Sequence, residues 1–138
     1  IAAFSGFPMI AGHSYRVEVI ATFQTAATTT GGSMGVTMST GSATIHGFME
    51  ADIAQTTVAT GLKTSIRAIN ATNTTAGSFM TTTGVGVANS PHSWYVLLNV
   101  YCTANGNFNV QWGSEIASSG ATLLANSIMI VDDLGIIS

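Results

Sequence analysis

The sequence predicts an all-β chain folded as an antiparallel sandwich or jelly roll. Three observations carry that prediction. Apolar residues recur at every second position through most segments. Gly- and Thr-rich clusters punctuate those segments at intervals of roughly ten residues. No segment shows a convincing amphipathic helical stripe of the kind a 3.6-residue period produces. About seven to nine short strands without helices bury their alternating faces as two packed sheets.

The 138 residues are enough for one domain with a real core. Residues 1–13 are expected to form an N-terminal arm and 14–138 a single jelly-roll domain. In SYRVEVIATF, Tyr15, Val17, Val19, Ala21 and Phe23 share one face, and Arg16, Glu18 and Thr22 share the other. Past the turn-rich TAATTTGG, the alternation of Met34, Val36 and Met38 predicts the second arm of a hairpin.

ATIHGFMEADI separates its faces well. Ile45, Met49, Ala51 and Ile53 point one way; His46, Phe48, Glu50 and Asp52 point the other. GLKTSIRAI sets Leu62, Thr64, Ile66 and Ala68 against Lys63, Ser65 and Arg67. A hairpin register with Asp52 opposite Lys63 and Phe48 opposite Arg67 brings both polar faces together. Glu50 and Asp52 then sit beside Lys63 and Arg67, and cross-strand pairs of this kind stabilise by a few tenths of a kcal/mol, roughly.

NATNTTAGSF reads as a loop and TTTGVGVANSPHS largely as connector. In WYVLLNVYCTANGNFNVQW, Asn105-Gly106 is the strongest hairpin signal, since that pair suits a type I′ turn. The turn would set Thr103 across from Phe108, Tyr101 from Val110 and Asn99 from Trp112. The other face carries Trp94, Val96, Leu98, Val100 and Cys102. With both faces apolar, this strand is expected to be covered on one side by the core and on the other by a neighbouring chain. The closing strand sets Ile128 and Ile130 on one face, Met129 and Val131 on the other. The expected subunit-interface face is therefore Trp94, Val96, Leu98 and Val100, continued by Ile128 and Ile130.

Charged residues make up only 7% of the chain, against roughly 25% in ordinary soluble domains. Thr, Ser and Asn supply the polarity instead, and they hydrate a surface without repelling a neighbouring copy. Low charge of this kind suits a protein packed against other protein. A net charge of −3 with three basic residues argues against nucleic-acid binding. The longest apolar run, Trp94 to Leu98, is far short of a membrane span. No stretch reads as a signal peptide, and a first residue Ile1 rather than Met fits trimming or a longer parent chain. A single cysteine excludes an intrachain disulfide.

Candidate chemistry is sparse. Glu50, Asp52 and His46 on one strand face are a possible cation or acid–base group, but a solvated face paired to Lys63 and Arg67 explains them better. Asp132 and Asp133 are neighbours whose side chains leave a strand on opposite faces, with no Asx-rich loop for calcium. Cys102 sits among apolar residues, where a thiol is inert, so pairing it with His92 as a nucleophile and base is disfavoured. His13 and His92 lack ligand spacing. GVGVA lacks the lysine and following helix of a phosphate cradle. Asn70 and Asn73 match the glycosylation triplet, which is common in Thr-rich chains. Phe4, Phe7 and Trp94 offer rings for sugar stacking, although core or interface packing explains them better. The chain is expected to be no enzyme and to need no cofactor or metal.

Several of these segments together resemble a module common in structural proteins of tailed bacteriophages. Tyr15, Val17 and Glu18 match its opening strand, and Thr25 to Gly31 its Thr/Ala-rich turn ending in Gly. Gln111, Ser114 and Glu115 match its Gln-x-x-Ser-Glu strand; Thr122, Leu123, Asn126 and Ser127 match its terminal strand. The resemblance runs from about Tyr15 to Gly135, with a middle matched only in strand pattern. The closing strands also look like those of trimeric jelly rolls of the tumour-necrosis-factor and complement type. Their cysteines and charged surfaces are missing here, so the topology carries over and the signalling role does not.

The resemblance implies a homotrimeric virion component assembled in the host cytoplasm. Its leading form is a capsid decoration (cement) or head-fibre module that binds the major capsid protein or other virion proteins. The alternative is a receptor- or glycan-binding domain of a tail fibre or appendage, meeting a host surface glycan. A secreted adhesin or lectin-like domain is a more distant third. No catalytic or receptor residue transfers with the motif.

Overall fold

The structure, a computed structural model, describes residues 2–52, 64–72, 78–82 and 84–136. Ten strands follow in order: β1 (Ala2–Met9), β2 (His13–Thr25), β3 (Gly32–Met38), β4 (Ser42–Asp52), β5 (Thr64–Thr72), β6 (Ser78–Thr81), β7 (His92–Ala104), β8 (Gly106–Ser114), β9 (Ala121–Leu123) and β10 (Ile128–Ile136). Among the described residues there is no helix.

Two antiparallel sheets form a β-sandwich. One has the order β1-β8-β3-β6; the other runs β10-β2-β7-β4-β5, with β9 also pairing to β2. Strand pairs nest from the outside inward: β1 with β8, β2 with β7, β3 with β6, β4 with β5. The segment expected to be an arm is therefore part of the fold, since Ala2–Met9 is β1 and Met9 lies in the core.

The core follows directly from the period-two pattern. Tyr15, Val17, Val19, Ala21 and Phe23 are buried from β2, and Ile45, Met49 and Ala51 from β4. Met34, Val36 and Met38 come from β3, and Phe108, Val110 and Trp112 from β8. Three aromatic contacts bridge the sheets. Phe23 and Trp94 of one sheet meet Trp112 of the other, with ring centroids 5.1 and 5.5 Å from it. Near the opposite end, Phe7 of β1 meets Tyr15 of β2 edge-on at 6.3 Å. The Tyr15 hydroxyl accepts a hydrogen bond from the Ile10 amide at 2.8 Å and ties down the β1–β2 corner. Trp112 Nε1 donates to the Ala121 carbonyl at 3.1 Å, whereas buried Trp94 Nε1 has no partner among the described residues.

Two expected hairpins are overturned. β2 and β3 lie in different sheets, and so do β7 and β8, so each connection is a corner across the sandwich. Asn105-Gly106 does not make a type I′ turn, which needs positive φ at both residues; neither has it. Glycine is required at 106 for another reason. A Cβ there would collide with the Thr40 carbonyl oxygen of the β3–β4 corner. Asn105 also accepts from the Ala11 amide at 2.7 Å, and Thr40 Oγ1 from the Asn107 amide at 3.2 Å. The three corners at this end are bonded to one another.

The β4–β5 hairpin forms, but one residue away from the charge-matched register. Asp52 pairs with Thr64, and Met49 rather than Phe48 faces Arg67 along the backbone. Lys63 lies outside the described residues. Surface ion pairs worth a few tenths of a kcal/mol, roughly, are too weak to fix a register.

The expected interface residues Trp94, Val96, Leu98 and Val100 are core residues, at most 2% exposed. They project between the sheets, so a charge there destroys the fold instead of separating subunits. Leu98→Ala should cost about 2–5 kcal/mol in urea unfolding, and Leu98→Asp should leave no cooperative transition. A folded Leu98→Asp chain would contradict this packing. Gly106→Ala should cost about 1–3 kcal/mol through the clash with Thr40. Gly113→Ala, with nothing within 4 Å of the new methyl, should change stability by less than about 0.5 kcal/mol.

Candidate assembly face

Because one side of β2, β7 and β4 faces the core, their other residues form the outer surface of the larger sheet. The registers lay that surface out in rows. Ile128, Ile20, Tyr95 and Glu50 lie side by side across β10, β2, β7 and β4; next come Ile130, Glu18, Leu97 and Phe48; then Asp132, Arg16, Asn99 and His46. The first two rows are mainly apolar. Ile20, Ile128 and Ile130 are 44%, 47% and 41% exposed, and Leu134 further along β10 is 53% exposed. Phe48 and Tyr95 are half-buried and in ring contact at 6.0 Å.

Between the second and third rows lies an open apolar groove of about 450 Å³. Leu97, Leu98, Asn99 and Gly47 line it, with Phe48 and His46 on one side and Arg16 and Leu134 on the other. Gly47 sits mid-strand with φ +150°, and a Cβ there would overlap the Leu97 carbonyl oxygen of β7. Glycine thus lets β4 and β7 approach closely beneath the groove.

The third row is charged, but its charges are paired within the molecule. Arg16 Nη2 donates to Glu18 at 3.1 Å, and Arg16 Nε lies 3.4 Å from Asp132. On the other side of β10, His13 Nδ1 lies 3.0 Å from Asp133. The Gly135 amide also donates to Asp133 at 2.8 Å and holds its carboxyl below the ordinary carboxylate range; the His13 contact lowers it further. The acidic pair of the sequence is thus a clasp that fastens β10 to β2.

The remaining candidate chemistry is dispersed. Cys102 is buried, its thiol 3.2 Å from the Ala104 carbonyl, and burial pushes its pKa up. His92 lies at the opposite end of the same strand, roughly 30 Å away at the usual strand rise, and Nε2 is 3.0 Å from the Val87 carbonyl. The two cannot act together. Trp94 is in the core, while Phe4 and Phe7 are half-buried in β1 and pack against it. Glu50 and Asp52 lie on the outer face with His46. Among the described residues no cluster of three or more His, Cys, Asp or Glu is placed to hold a metal ion, and no helix is long and apolar enough to cross a membrane.

Ile128 and Ile130 thus belong to an exposed face, while the other four residues of the expected interface are core. Ile20, Leu97 and Leu134 were not foreseen as parts of it. The signal for Ile20 was present, since it is in phase with Arg16 and Glu18 on a face otherwise read as polar. Comparison with protein-family models, with curated proteins and with solved structures finds no match for this chain.

The Asp133 clasp predicts a pH dependence. A lowered folded-state pKa gives stability that is complete above the unfolded value of about 3.9 and is lost as pH falls through the folded value. Protection factors of the β10 amides, taken relative to the intrinsic exchange rate at each pH, should fall on acidification from about pH 5 to pH 3, and Asp133→Asn should flatten that dependence. Identical pH profiles for the two proteins would show that the clasp contributes nothing.

Proposed function

We propose that this chain is a non-enzymatic virion structural protein that works by self-assembly, most simply as a trimeric capsid decoration or head-fibre module. The observation that carries this is the outer face of the larger sheet. It exposes Ile20, Ile128, Ile130 and Leu134 together, on a chain with only 7% charged residues. Among the charges on that face, Arg16 is already paired with Glu18 and Asp132. Contiguous apolar surface of this kind marks a place where protein meets protein. Completing the burial of each such isoleucine is worth roughly 1 kcal/mol.

The nested pairing of β1 with β8, β2 with β7, β3 with β6 and β4 with β5 supports the finer reading of the sandwich as a jelly roll. Three copies, a phage particle and a capsid protein as partner come from the resemblance of the opening and closing segments to phage virion modules. In this reading the apolar face packs between subunits. The Ser-, Thr- and Asn-rich surface meets the capsid or an adjoining fibre segment.

Light scattering at micromolar concentration should give a trimer, and Ile20→Asp with Ile128→Asp should give a folded monomer with an unchanged circular dichroism spectrum. A wild-type monomer would sink the self-assembly. A decoration protein should bind purified expanded capsids and raise their resistance to heat. Binding to host cells or surface polysaccharide, with no effect on capsids, would favour the receptor-binding alternative instead.

A further inference from the structure

We infer that Asn105 is a site of spontaneous covalent modification: its side-chain amide leaves as ammonia through a succinimide closed on Gly106, and the folded corner promotes the step. The inference does not depend on how copies of the chain assemble. Asn105 lies in the corner between β7 and β8, outside the three rows of the exposed face.

Three observations carry it. The first is the dipeptide itself, Asn105-Gly106. The backbone nitrogen that follows an asparagine can attack that side chain's Cγ and close a five-membered ring. A side chain on the following residue crowds the attack, and glycine has none. The second is exposure: Asn105 is open to solvent, so hydroxide and water reach it. The third is a hydrogen bond from another corner. The Ala11 amide donates to Asn105 Oδ1 at 2.7 Å. That is the oxygen on which negative charge grows when Cγ is attacked. A donor already in place there polarises the carbonyl and stabilises the oxyanion, as in acyl transfer.

The step balances with water alone. Hydroxide takes the Gly106 amide proton, the nitrogen's electron pair bonds to Cγ, and the carbonyl π pair moves onto Oδ1. That pair then returns, the Cγ–Nδ2 bond breaks, and Nδ2 takes a proton from water and leaves as ammonia. Water opens the ring at one of its two carbonyls. Cleavage at Cγ gives aspartate; cleavage at the main-chain carbonyl gives isoaspartate, with the chain running through the former side chain.

The fold keeps the labile pair. Any side chain at 106 would overlap the Thr40 carbonyl oxygen, so glycine cannot be exchanged without moving that corner. The two products then differ in effect. Aspartate keeps an oxygen for the Ala11 amide and adds one negative charge to a chain of net charge −3. Isoaspartate inserts an extra main-chain carbon just where the corners are bonded together. Beside it the Asn107 amide donates to Thr40 Oγ1 at 3.2 Å, and the Gly12 amide to the Cys102 carbonyl at 2.8 Å. The longer backbone loosens that junction.

A clean way to remove the donor exists. Ala11 is the second residue of a turn closed by the His13 amide and the Ile10 carbonyl at 3.1 Å, with Gly12 third at φ +85°. A turn of this type favours proline at its second position, and proline has no N–H to give to Asn105.

The test follows each asparagine by mass-spectrometric peptide mapping during incubation in mildly alkaline buffer, native and unfolded in guanidinium chloride. Asn89 and Asn126 are the comparison, since both are exposed and each precedes a serine. In the folded protein Asn105 should convert roughly ten-fold faster than either, and at least as fast as in the unfolded chain. Gly106 begins β8 opposite Met9, so a fold that merely restrains the pair would slow the reaction. Slower conversion in the folded protein, or no preference over Asn126, therefore overturns the inference. Ala11→Pro, shown by circular dichroism to be folded, should convert several-fold more slowly at Asn105. An unchanged rate in that variant would overturn the part assigned to the Ala11 amide.

Discussion

The fold depends on one contact layer, the single core between the two sheets, and most directly on the aromatic group that bridges them. Phe23 and Trp94 stand on neighbouring strands of the larger sheet, and Trp112 reaches them from the smaller one. Nearly every strand crossover carries the chain from one sheet to the other, so local turns do little to hold the topology. What fixes it is that each strand must turn its apolar alternate residues toward the same layer. A one-residue slip anywhere would expose that whole set. β7, bonded on both sides to β2 and β4, is the strand on which the layer is built.

Using one side of β2 and β7 for the core decides what remains on the other. Arg16 is paired there with Glu18 and Asp132, and Ile20, Ile128 and Ile130 are the exposed apolar residues beside them. The C-terminal strand is held to the domain by its backbone ladder with β2 and by the Arg16 and His13 contacts, rather than by deep burial. It is thus firmly placed and largely uncovered.

Much of this was legible in the sequence, and the failures have physical causes. The faces of β2 and β4 read correctly because polar and apolar residues alternate along them, Ile20 and Phe48 being the exceptions. β10 also read correctly as to which residues share a side. Asn105-Gly106 misled because the same dipeptide serves a tight hairpin through positive φ and a crowded corner through its missing side chain. Only the backbone of the β3–β4 corner distinguishes the two. The charge-matched register of β4 and β5 misled because attraction between exposed side chains is too weak to fix a register. β7 was ambiguous for a different reason. Tyr95 and Leu97 made its outer face look as apolar as the inner one. However, Asn99 and Thr103 interrupt that face, while Trp94, Val96, Leu98, Val100 and Cys102 run unbroken. Continuity, and not hydrophobicity alone, was the signal for the core.

The central claim is that the apolar surface around β10 exists to be covered by another copy. Hydrogen exchange of the Ile128 to Val131 amides across a dilution series reads this most directly. The account predicts that protection of these amides rises with protein concentration, while that of Val17 and Val96 in the core stays constant. Protection in β10 that is the same from nanomolar to high micromolar concentration would contradict it.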